Sequence, residues 1–194
     1  MEVINPNFPP GLDNMDNGMF RRDRRNVVDH FKHMSIELIK GELTKNRSDL
    51  VVIAENFASD FNLASTIRNL NAFACKEIWI IGDSRFDRRG TVGTHVYETI
   101  NHSKEVFSVI DKLRNDGYTI VAVDNVDKST NIEKYSWNKK SAIILGSEQI
   151  GVSNAALNLA DDIVFIPMLG STRSLNVAVA SGIAMYDYNL KQAL

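Results

Sequence analysis

The segment Ile166-Pro-Met-Leu-Gly-Ser-Thr-Arg-Ser-Leu-Asn-Val-Ala-Val-Ala180 decides the fold predicted for this chain. It continues an apolar run at 162–166 that is typical of a buried strand and that Pro167 ends. A polar turn follows, and Ser174 is placed to cap the N-terminus of a helix. A strand end, a polar loop and a helix N-terminus together form a site for a ligand with polar or anionic groups, although an ordinary strand-to-helix junction has the same pattern.

Apolar runs alternate with amphipathic stretches along most of the chain, and this alternation predicts the fold class. Runs at 50–54, 77–81, 119–123, 141–145 and 162–166 indicate strands, and stretches at 63–73, 104–115 and 153–159 indicate helices. After the last run, apolar residues at helical spacing predict a C-terminal helix: Leu175, Val179, Ile183 and Tyr186. This pattern is typical of an α/β domain with a mostly parallel sheet covered by helices on both faces. Residues 83–101 lack a clear period and predict a long loop with a short helix.

The composition is that of a soluble globular protein. Of the 194 residues, 44% are hydrophobic and 24% are charged, and no apolar run is long enough to span a bilayer. We therefore expect a cytoplasmic protein with no membrane partner. The single Cys75 excludes an internal disulfide and is expected to be a packed core thiol, and the scattered histidines predict no metal site. A net charge of −2 predicts no general attraction to nucleic acid, so no DNA partner is expected and attraction to RNA must be local.

The N-terminal part differs in composition from the rest. Residues 1–19 hold three of the four prolines and no periodicity, which predicts a flexible or loosely docked tail. Residues 20–47 contain eight Lys or Arg and four Asp or Glu, and apolar spacing from Val27 to Leu38 predicts a helix with this charge on its outer face. The face is either merely solvated or an RNA-binding arm that contacts phosphates through Arg21, Arg22, Arg24 and Arg25. Residues 1–47 are thus predicted as a tail and basic helix, and 48–194 as the main domain.

Three predicted strand ends are followed by polar side chains that could share one site. These are Asn62 and Arg68 after the run at 50–54, Gly146 and Glu148 after the run at 141–145, and Ser174 and Asn176 after the last run. Because parallel strands end at the same edge of a sheet, the three junctions are expected to lie close together. The glycines at 146 and 151 allow backbone to approach a ligand, but the third glycine of the dinucleotide fingerprint is missing.

The same junctions carry a resemblance to a known family. Asn62-x5-Arg68, Leu145-Gly-Ser-Glu148-x2-Gly151 and Ile166-Pro-Met-x5-Ser174-Leu-Asn176-Val resemble the three ordered motifs of the SpoU (TrmH) family. That family comprises S-adenosylmethionine-dependent RNA ribose 2′-O-methyltransferases of the SPOUT class. The resemblance runs from about residue 50 to the C-terminal helix, and the short basic region before it resembles the tRNA-directed branch. Ala64 and Ala178 depart from the Gly and Ser that are frequent in the family, at positions to which no role is assigned.

The resemblance implies features that the residues alone do not. It implies a C-terminal deep trefoil knot, the SPOUT fold, although chains almost never thread loops, and a homodimer with the knot at its interface. The S-adenosyl-L-methionine cofactor is expected in the knot, at Leu145, Gly146, Gly151, Ile166, Pro167, Met168 and Leu175. Backbone groups at 145–146 and 166–168 could bind its adenine without a charged side chain.

The resemblance also implies five catalytic positions: Arg68, Asn62, Glu148, Ser174 and Asn176. Arg68 is the central one. A guanidinium with a pKa above ~12 is a poor base near neutral pH, so a clamp on the adjacent phosphate and the developing alkoxide suits it better. Asn62 would orient Arg68 or the ribose, and the remaining three would shape the site by hydrogen bonds. Helix capping is the structural alternative for Asn62 and Ser174.

The leading prediction of function is therefore methyl transfer to a ribose 2′-hydroxyl in tRNA. The same reaction on ribosomal RNA is the first alternative, and a cofactor-dependent RNA-binding protein without catalysis is the second. An unrelated Rossmann-type enzyme is weakened by the missing glycine fingerprint. The target nucleotide and the role of Arg85, Arg88 and Arg89 in the loop at 83–101 stay open.

Overall fold

The computed structural model describes residues 15–16, 19–20 and 23–192. Its first elements are a short hairpin, β1 (Met15–Asp16) with β2 (Met19–Phe20), and helix α1 (Ile36–Asn46). The remaining elements, in chain order, are β3 (Val51–Glu55), α2 (Asp60–Ala72), β4 (Glu77–Ile81), β5 (Ile100–Ser103), α3 (Val106–Asn115), β6 (Thr119–Val123), β7 (Thr130–Asn131), β8 (Ser141–Leu145), α4 (Asn154–Leu159), β9 (Asp162–Phe165) and α5 (Val177–Gln192). Short 3-10 helices lie at Asp29–Phe31, Thr94–Tyr97 and Ile132–Lys134.

The seven strands from β3 to β9 form one sheet in the order β5-β4-β3-β8-β6-β9-β7. All of its strand pairs are parallel, which confirms the predicted α/β fold with a parallel sheet. The central strands β3 and β8 are buried along their whole length, and Val51 pairs with Ala142 while Ile53 pairs with Ile144. Burial on both faces explains why these strands read as continuous apolar runs.

Helices cover both faces of this sheet. On one face, side chains of α2 and α5 such as Ile67 and Met185 pack in a core cluster with Val52 and Leu145. On the other face, side chains of α3 and α4 such as Leu113 and Ala156 pack in a second cluster with strand residues of opposite orientation. Successive strand side chains alternate between the two clusters, as the pleat of a strand requires.

The carboxyl ends of four neighbouring strands define the functional edge. In the register of the sheet, Ala54 of β3 pairs with Leu145 of β8, and Val123 of β6 pairs with Val164 of β9. Because β3, β8, β6 and β9 are consecutive neighbours, the loops that follow them leave the sheet side by side. The three junctions that the sequence singled out are therefore on one edge, where open parallel sheets bind ligands.

The prediction of one basic helix that includes Val27 to Leu38 is wrong. Residues 23–35 contain only the 3-10 turn Asp29–Phe31, and α1 begins at Ile36 with Ser35 as its cap. Local side-chain bonds compete with a helix here, because Asp23 accepts hydrogen bonds from the backbone and side chain of Arg25 and from the backbone N–H of His33. His33 also has a positive φ of 63°, which no right-handed helix contains.

Three further differences concern boundaries. The predicted helix at 63–73 begins earlier, at Asp60, with Ser59 as its cap, so Asn62 lies within the first turn. The segment 83–101 contains the predicted short helix, Thr94–Tyr97, and also the start of the edge strand β5, which its polar sequence concealed. The tail predicted at 1–19 lies largely outside the described residues. Within the described residues, no helix has both the length and the apolar character needed to cross a bilayer.

The C-terminal helix is oriented differently from what its apolar spacing suggested. Its buried residues are Ala178, Ser181, Ala184, Met185 and Tyr188. Val179 and Tyr186, which belong to the predicted apolar spacing, are 53% and 57% exposed, and Leu175 precedes the helix. The small residues face inward because α5 packs closely on α2, where the Asn69 side chain donates to the Ala178 carbonyl at 2.8 Å.

Candidate active site

Glu148 links the loop after β8 to the N-terminus of α2. Its carboxylate accepts hydrogen bonds from the backbone N–H of Ala58 at 2.8 Å and of Ser59 at 3.2 Å. It also accepts one from Asn62 Nδ2 at 2.6 Å. An anion is favourable here because the helix N-terminus presents N–H groups and the positive end of the helix dipole.

Asn176 joins this network from the third junction. Its Nδ2 donates to Asn62 Oδ1 at 2.9 Å, so the two amides and Glu148 form one chain of hydrogen bonds. Its Oδ1 accepts from the backbone N–H of Ala178 at 2.9 Å and of Val179 at 3.3 Å. Asn176 is therefore the N-cap of α5.

The prediction that Ser174 caps the C-terminal helix is wrong. The Ser174 backbone N–H and carbonyl both bond to the hydroxyl of Thr172, in a turn before the helix. The helix begins two residues later than a Ser174 cap would require. Asn and Ser are comparable caps, so only the path of the loop decided between them.

Hydrogen bonding keeps Glu148 ionised. Partial burial raises the pKa of its carboxyl, but the bonds from Asn62 and from the Ala58 and Ser59 backbone outweigh burial, so that the net pKa is lowered. At neutral pH the group is a carboxylate that accepts three N–H groups. It acts as an anchor for the amides rather than as a proton donor.

A cavity of about 460 Å³ adjoins this network at the edge of the sheet. Six of the seven predicted cofactor-binding residues line it: Leu145, Gly146, Gly151, Ile166, Met168 and Leu175. The predicted catalytic residues Glu148, Ser174 and Asn176 line it as well. Pro167 is not among the lining residues, although its neighbours on both sides are.

Two glycines give the cavity its backbone wall. Gly146 and Gly151 lie so close together that a Cβ on Gly146 would overlap the backbone of Gly151. Gly151 itself has a φ of +72°, and a Cβ there would overlap the carboxylate of Asp124. A side chain at Gly146 would therefore push residues 146 and 151 apart, and one at Gly151 would displace Asp124, so either substitution would change the wall.

The sequence analysis missed the contribution of the loop after β6. Asp124 and Asn125 line the cavity, and Asp124 Oδ2 accepts from the backbone N–H of Val152 at 2.8 Å. Their position directly after an apolar strand was a usable signal. To use that signal, one had to know that β6 lies beside β8 in the sheet. Arg173, also missed, lines the cavity from the loop before α5.

Arg68 is not part of the hydrogen-bonded network. It lies on α2 six residues after Asn62, which places it about a third of a turn away around the helix and roughly 9 Å along it. Its side chain is exposed, and it forms no hydrogen bond or ion pair with any residue that the structure describes. Its guanidinium is therefore available for a ligand.

The predicted RNA-binding arginines can be located only in part. Arg21 and Arg22 lie outside the described residues. Arg24 is exposed, whereas Arg25 forms a 2.6 Å ion pair with Asp23, which competes with a phosphate contact. In the part of the chain that the structure describes, no group of three or more His, Cys, Asp or Glu side chains is placed to hold a metal ion.

Comparison with known proteins gives a consistent result. Residues 49–186 match the family model described as the SpoU rRNA Methylase family. A tRNA (guanosine(18)-2'-O)-methyltransferase of Borreliella burgdorferi is 34% identical over 141 residues, which are 71% of this chain and 65% of that protein. A protein of the same name from Aquifex aeolicus is 27% identical over 156 residues, 78% of this chain and 74% of that one. The chain thus spans just under two thirds of the Borreliella relative.

Solved structures share the fold. The A. aeolicus TrmH/SpoU tRNA modifying enzyme superposes with a TM-score of 0.75 at 26% identity, over 81% of this chain and 82% of that one. The SpoU methyltransferase AviRb from Streptomyces viridochromogenes superposes with a TM-score of 0.69 at 25% identity, over 76% of this chain and 61% of that one.

Proposed function

Because this chain belongs to the SpoU rRNA methylase family, we propose that it transfers a methyl group from S-adenosylmethionine to a ribose 2′-hydroxyl of tRNA. The observation that carries the proposal is the Asn176–Asn62–Glu148 network beside the cavity, which brings residues of all three motifs into direct contact. The names of the Borreliella and Aquifex relatives support tRNA as the substrate and make guanosine 18 the first position to test.

The cavity suits the proposed cofactor. Its volume falls within the range of about 300–1,000 Å³ that small-molecule sites occupy. Backbone groups at 145–146 and 166–168 would hold the adenine, while Leu175 offers an apolar contact. The close glycine pair lets backbone replace side chains along the wall. S-adenosylmethionine, when bound, supplies an activated methyl group on a sulfonium.

The chain's own residues would hold the acceptor. Asn62 uses one N–H and one oxygen lone pair within the network and keeps one of each for the ribose hydroxyl. Glu148 and Asn176 fix the orientation of that amide, because each bonds to a different end of it. Holding an acceptor oxygen in line with a reactive carbon supplies a large share of the acceleration in such reactions.

Arg68 would bind the phosphate next to the acceptor ribose and stabilise the developing alkoxide. Its exposed guanidinium, free of any partner among the described residues, supports this role over that of a general base. Arg68→Ala should abolish methyl transfer while retaining cofactor binding by calorimetry. Arg114→Ala, at an exposed arginine of α3, is the control and should keep activity. Full activity of the Arg68 variant would contradict the assignment.

A homodimer is the proposed assembly. The outer side of α5 carries Val179, Tyr186 and Leu190, each about half exposed, and this apolar strip supports burial against a second copy. Val179→Glu combined with Tyr186→Glu should convert the dimer to monomer in sedimentation, and Phe107→Glu on α3 should not. A wild-type monomer at micromolar concentration would contradict the assembly.

The trefoil knot is proposed with the fold. After β9 the segment 166–176 runs back along the sheet edge, past the loop of β8, and α5 then packs on α2. This return path supports threading of the C-terminus.

The cytoplasmic location and the phosphate contacts of the N-terminal arginines stay predictions. Neutralising Arg24 should weaken RNA binding and reduce the salt dependence of that binding.

The decisive experiment is methyl transfer from labelled S-adenosylmethionine to unmodified tRNA and, separately, to ribosomal RNA. Digestion and mass spectrometry should identify one 2′-O-methylated tRNA nucleotide. Transfer to ribosomal RNA alone would keep the reaction and overturn the substrate. Cofactor binding without transfer to either RNA would favour a non-catalytic RNA-binding protein. Calorimetry with NAD tests the Rossmann-type alternative, and we expect it to show no binding.

A further inference from the structure

Phe61 is an exposed aromatic residue next to the proposed acceptor site. It occupies the first turn of α2, immediately before Asn62, and its side chain is 53% exposed. Aromatic rings are usually buried because each removes a large apolar area from water. Exposed apolar residues occur elsewhere on the described surface, but Phe61 directly precedes a residue of the Asn176–Asn62–Glu148 network, so a ligand of that site can reach it.

The loop after β4 is bonded to the first turn of α2 and to the residues just before it. Ser84 Oγ donates to the carbonyl of Phe57 at 2.8 Å, and the backbone N–H of Asp87 donates to the carbonyl of Asp60 at 3.2 Å. Gly90 lies so close to α2 that a Cβ there would stand 2.7 Å from the Ala64 side chain. Two hydrogen bonds and one close approach thus hold the loop backbone against the start of α2, beside Phe61.

One arginine of this loop lies over the Phe61 ring. The Arg89 guanidinium is 5.6 Å from the ring centroid, within cation–π range. Asp87 fixes the plane of that guanidinium through bonds to Nε at 3.0 Å and to Nη2 at 2.6 Å. The Arg89 side chain is still 80% exposed, so a guanidinium held over an aromatic ring faces solvent here.

The surroundings of this pair are positive on balance, because α2 and residues 85–89 together carry four arginines and two aspartates. Residues 85–89 contain three arginines and one aspartate, an excess of two positive charges, and Arg85 and Arg88 are exposed. Arg68 follows Phe61 by seven residues, two helical turns, and therefore lies on the same face of α2. An exposed ring and guanidinium flanked by cations fit a polyanion that carries planar bases.

We propose that Phe61 and Arg89 form a stacking platform for an unpaired base of the RNA substrate, next to the methylated ribose. The inference rests on the proposed function and adds to it the mode of recognition. Proteins read single-stranded RNA by stacking splayed bases on aromatic rings and on arginine planes. Arg85 and Arg88 contact phosphates of the same strand, which positions the nucleotide without reading its sequence.

The test uses Phe61 variants of the full chain and an unmodified tRNA transcript. Phe61→Ala and Phe61→Leu should both weaken tRNA affinity about tenfold, because base–aromatic stacking is lost. Phe61→Trp should restore it to within about twofold, since a tryptophan ring also stacks. Phe107→Ala is the matched control, because Phe107 is a 61% exposed phenylalanine on α3 and should not affect RNA binding. Affinity for S-adenosylmethionine should be unchanged in every variant.

A direct readout follows from the Phe61→Trp variant. Addition of tRNA should quench the fluorescence of the added tryptophan, so the fall in signal should be larger in this variant than in the wild type, which contains only Trp79 and Trp137. The Phe107→Trp variant should show no such additional quenching. Unchanged tRNA affinity in Phe61→Ala and Phe61→Leu would overturn the platform. Dissociation of a wild-type dimer by these variants would assign Phe61 to a protein interface and overturn it as well.

The two proposals fail differently. If the wild type methylates tRNA and the Phe61 variants bind that tRNA equally well, only the platform is wrong. If the wild type binds S-adenosylmethionine but neither binds nor methylates tRNA or ribosomal RNA, the proposed function is wrong and the platform falls with it. If ribosomal RNA is the substrate, the same variants measured on that RNA decide the inference.

Discussion

Asn176 serves two purposes at once. Its oxygen caps α5, and its amide nitrogen holds Asn62 in the orientation that leaves the Asn62 amide open to a ligand. Helix stability and the proposed site are coupled at this residue, because the start of α5 fixes the position of the side chain that contacts Asn62.

Alanine substitutions at Asn176 and Ser174 test which of the two residues caps α5. Asn176→Ala should destabilise the protein by about 1 kcal/mol through loss of the cap, which corresponds to a fall in melting temperature of roughly 2–4 °C. Ser174→Ala should leave the melting temperature within about 1 °C, because the Ser174 side chain lies outside the helix and caps nothing. Equal losses in the two variants would contradict the assignment of the cap.

Thr66, unlike Asn176, has a polar side chain without a hydrogen-bond partner among the described residues. Its hydroxyl on α2 is fully buried and finds no hydrogen-bond partner among the described residues. Thr66→Val removes the hydroxyl and preserves the shape, so it should stabilise the protein by about 1 kcal/mol. Calorimetry should show a higher melting temperature. Ser65→Ala, at the neighbouring partly exposed position, is the control with no expected gain, and a destabilised Thr66 variant would reveal a partner for the hydroxyl.

At the scale of elements, one buried ion pair holds together three segments. Arg47, at the end of α1, pairs with Glu98 at 2.6 Å, just after the 3-10 helix Thr94–Tyr97. The same guanidinium donates to the carbonyls of Cys75 and Tyr97, and Asn71 of α2 donates to Glu98. The pair thus fixes α1 against the long loop that precedes β5.

Glu98→Gln should therefore cost about 3 kcal/mol, because it leaves the Arg47 charge buried without its counter-charge. The expected change is a fall in melting temperature of roughly 6–12 °C. Glu42→Gln breaks the exposed pair with Lys45 and should cost less than about 0.5 kcal/mol. Similar effects from both substitutions would show that water reaches the Arg47–Glu98 pair.

At the scale of the whole molecule, the two core clusters enclose the sheet and leave Cys75 inaccessible. Its side chain is fully buried, as the sequence predicted, and burial raises the pKa of the thiol to about 12. Cys75 should not react with a disulfide reagent at pH 8 unless the chain unfolds, so its labelling rate should follow global unfolding. Asn115→Cys, at the exposed end of α3, should react at once. Fast labelling of native Cys75 would indicate local opening near the Arg47–Glu98 pair.

The sequence alone determined the α/β class, most strand positions and the three motif segments, because buried parallel strands and their polar ends are local patterns. Tertiary structure decided which residues meet. Asn62 and Glu148 are 86 residues apart and Asn62 and Asn176 are 114 apart, so their contact depends on the strand order. The same holds for Asp124 in the cavity wall, for Arg89 over Phe61, and for the face of α5 that turns inward. Such contacts arise from packing between distant segments, which no local pattern encodes.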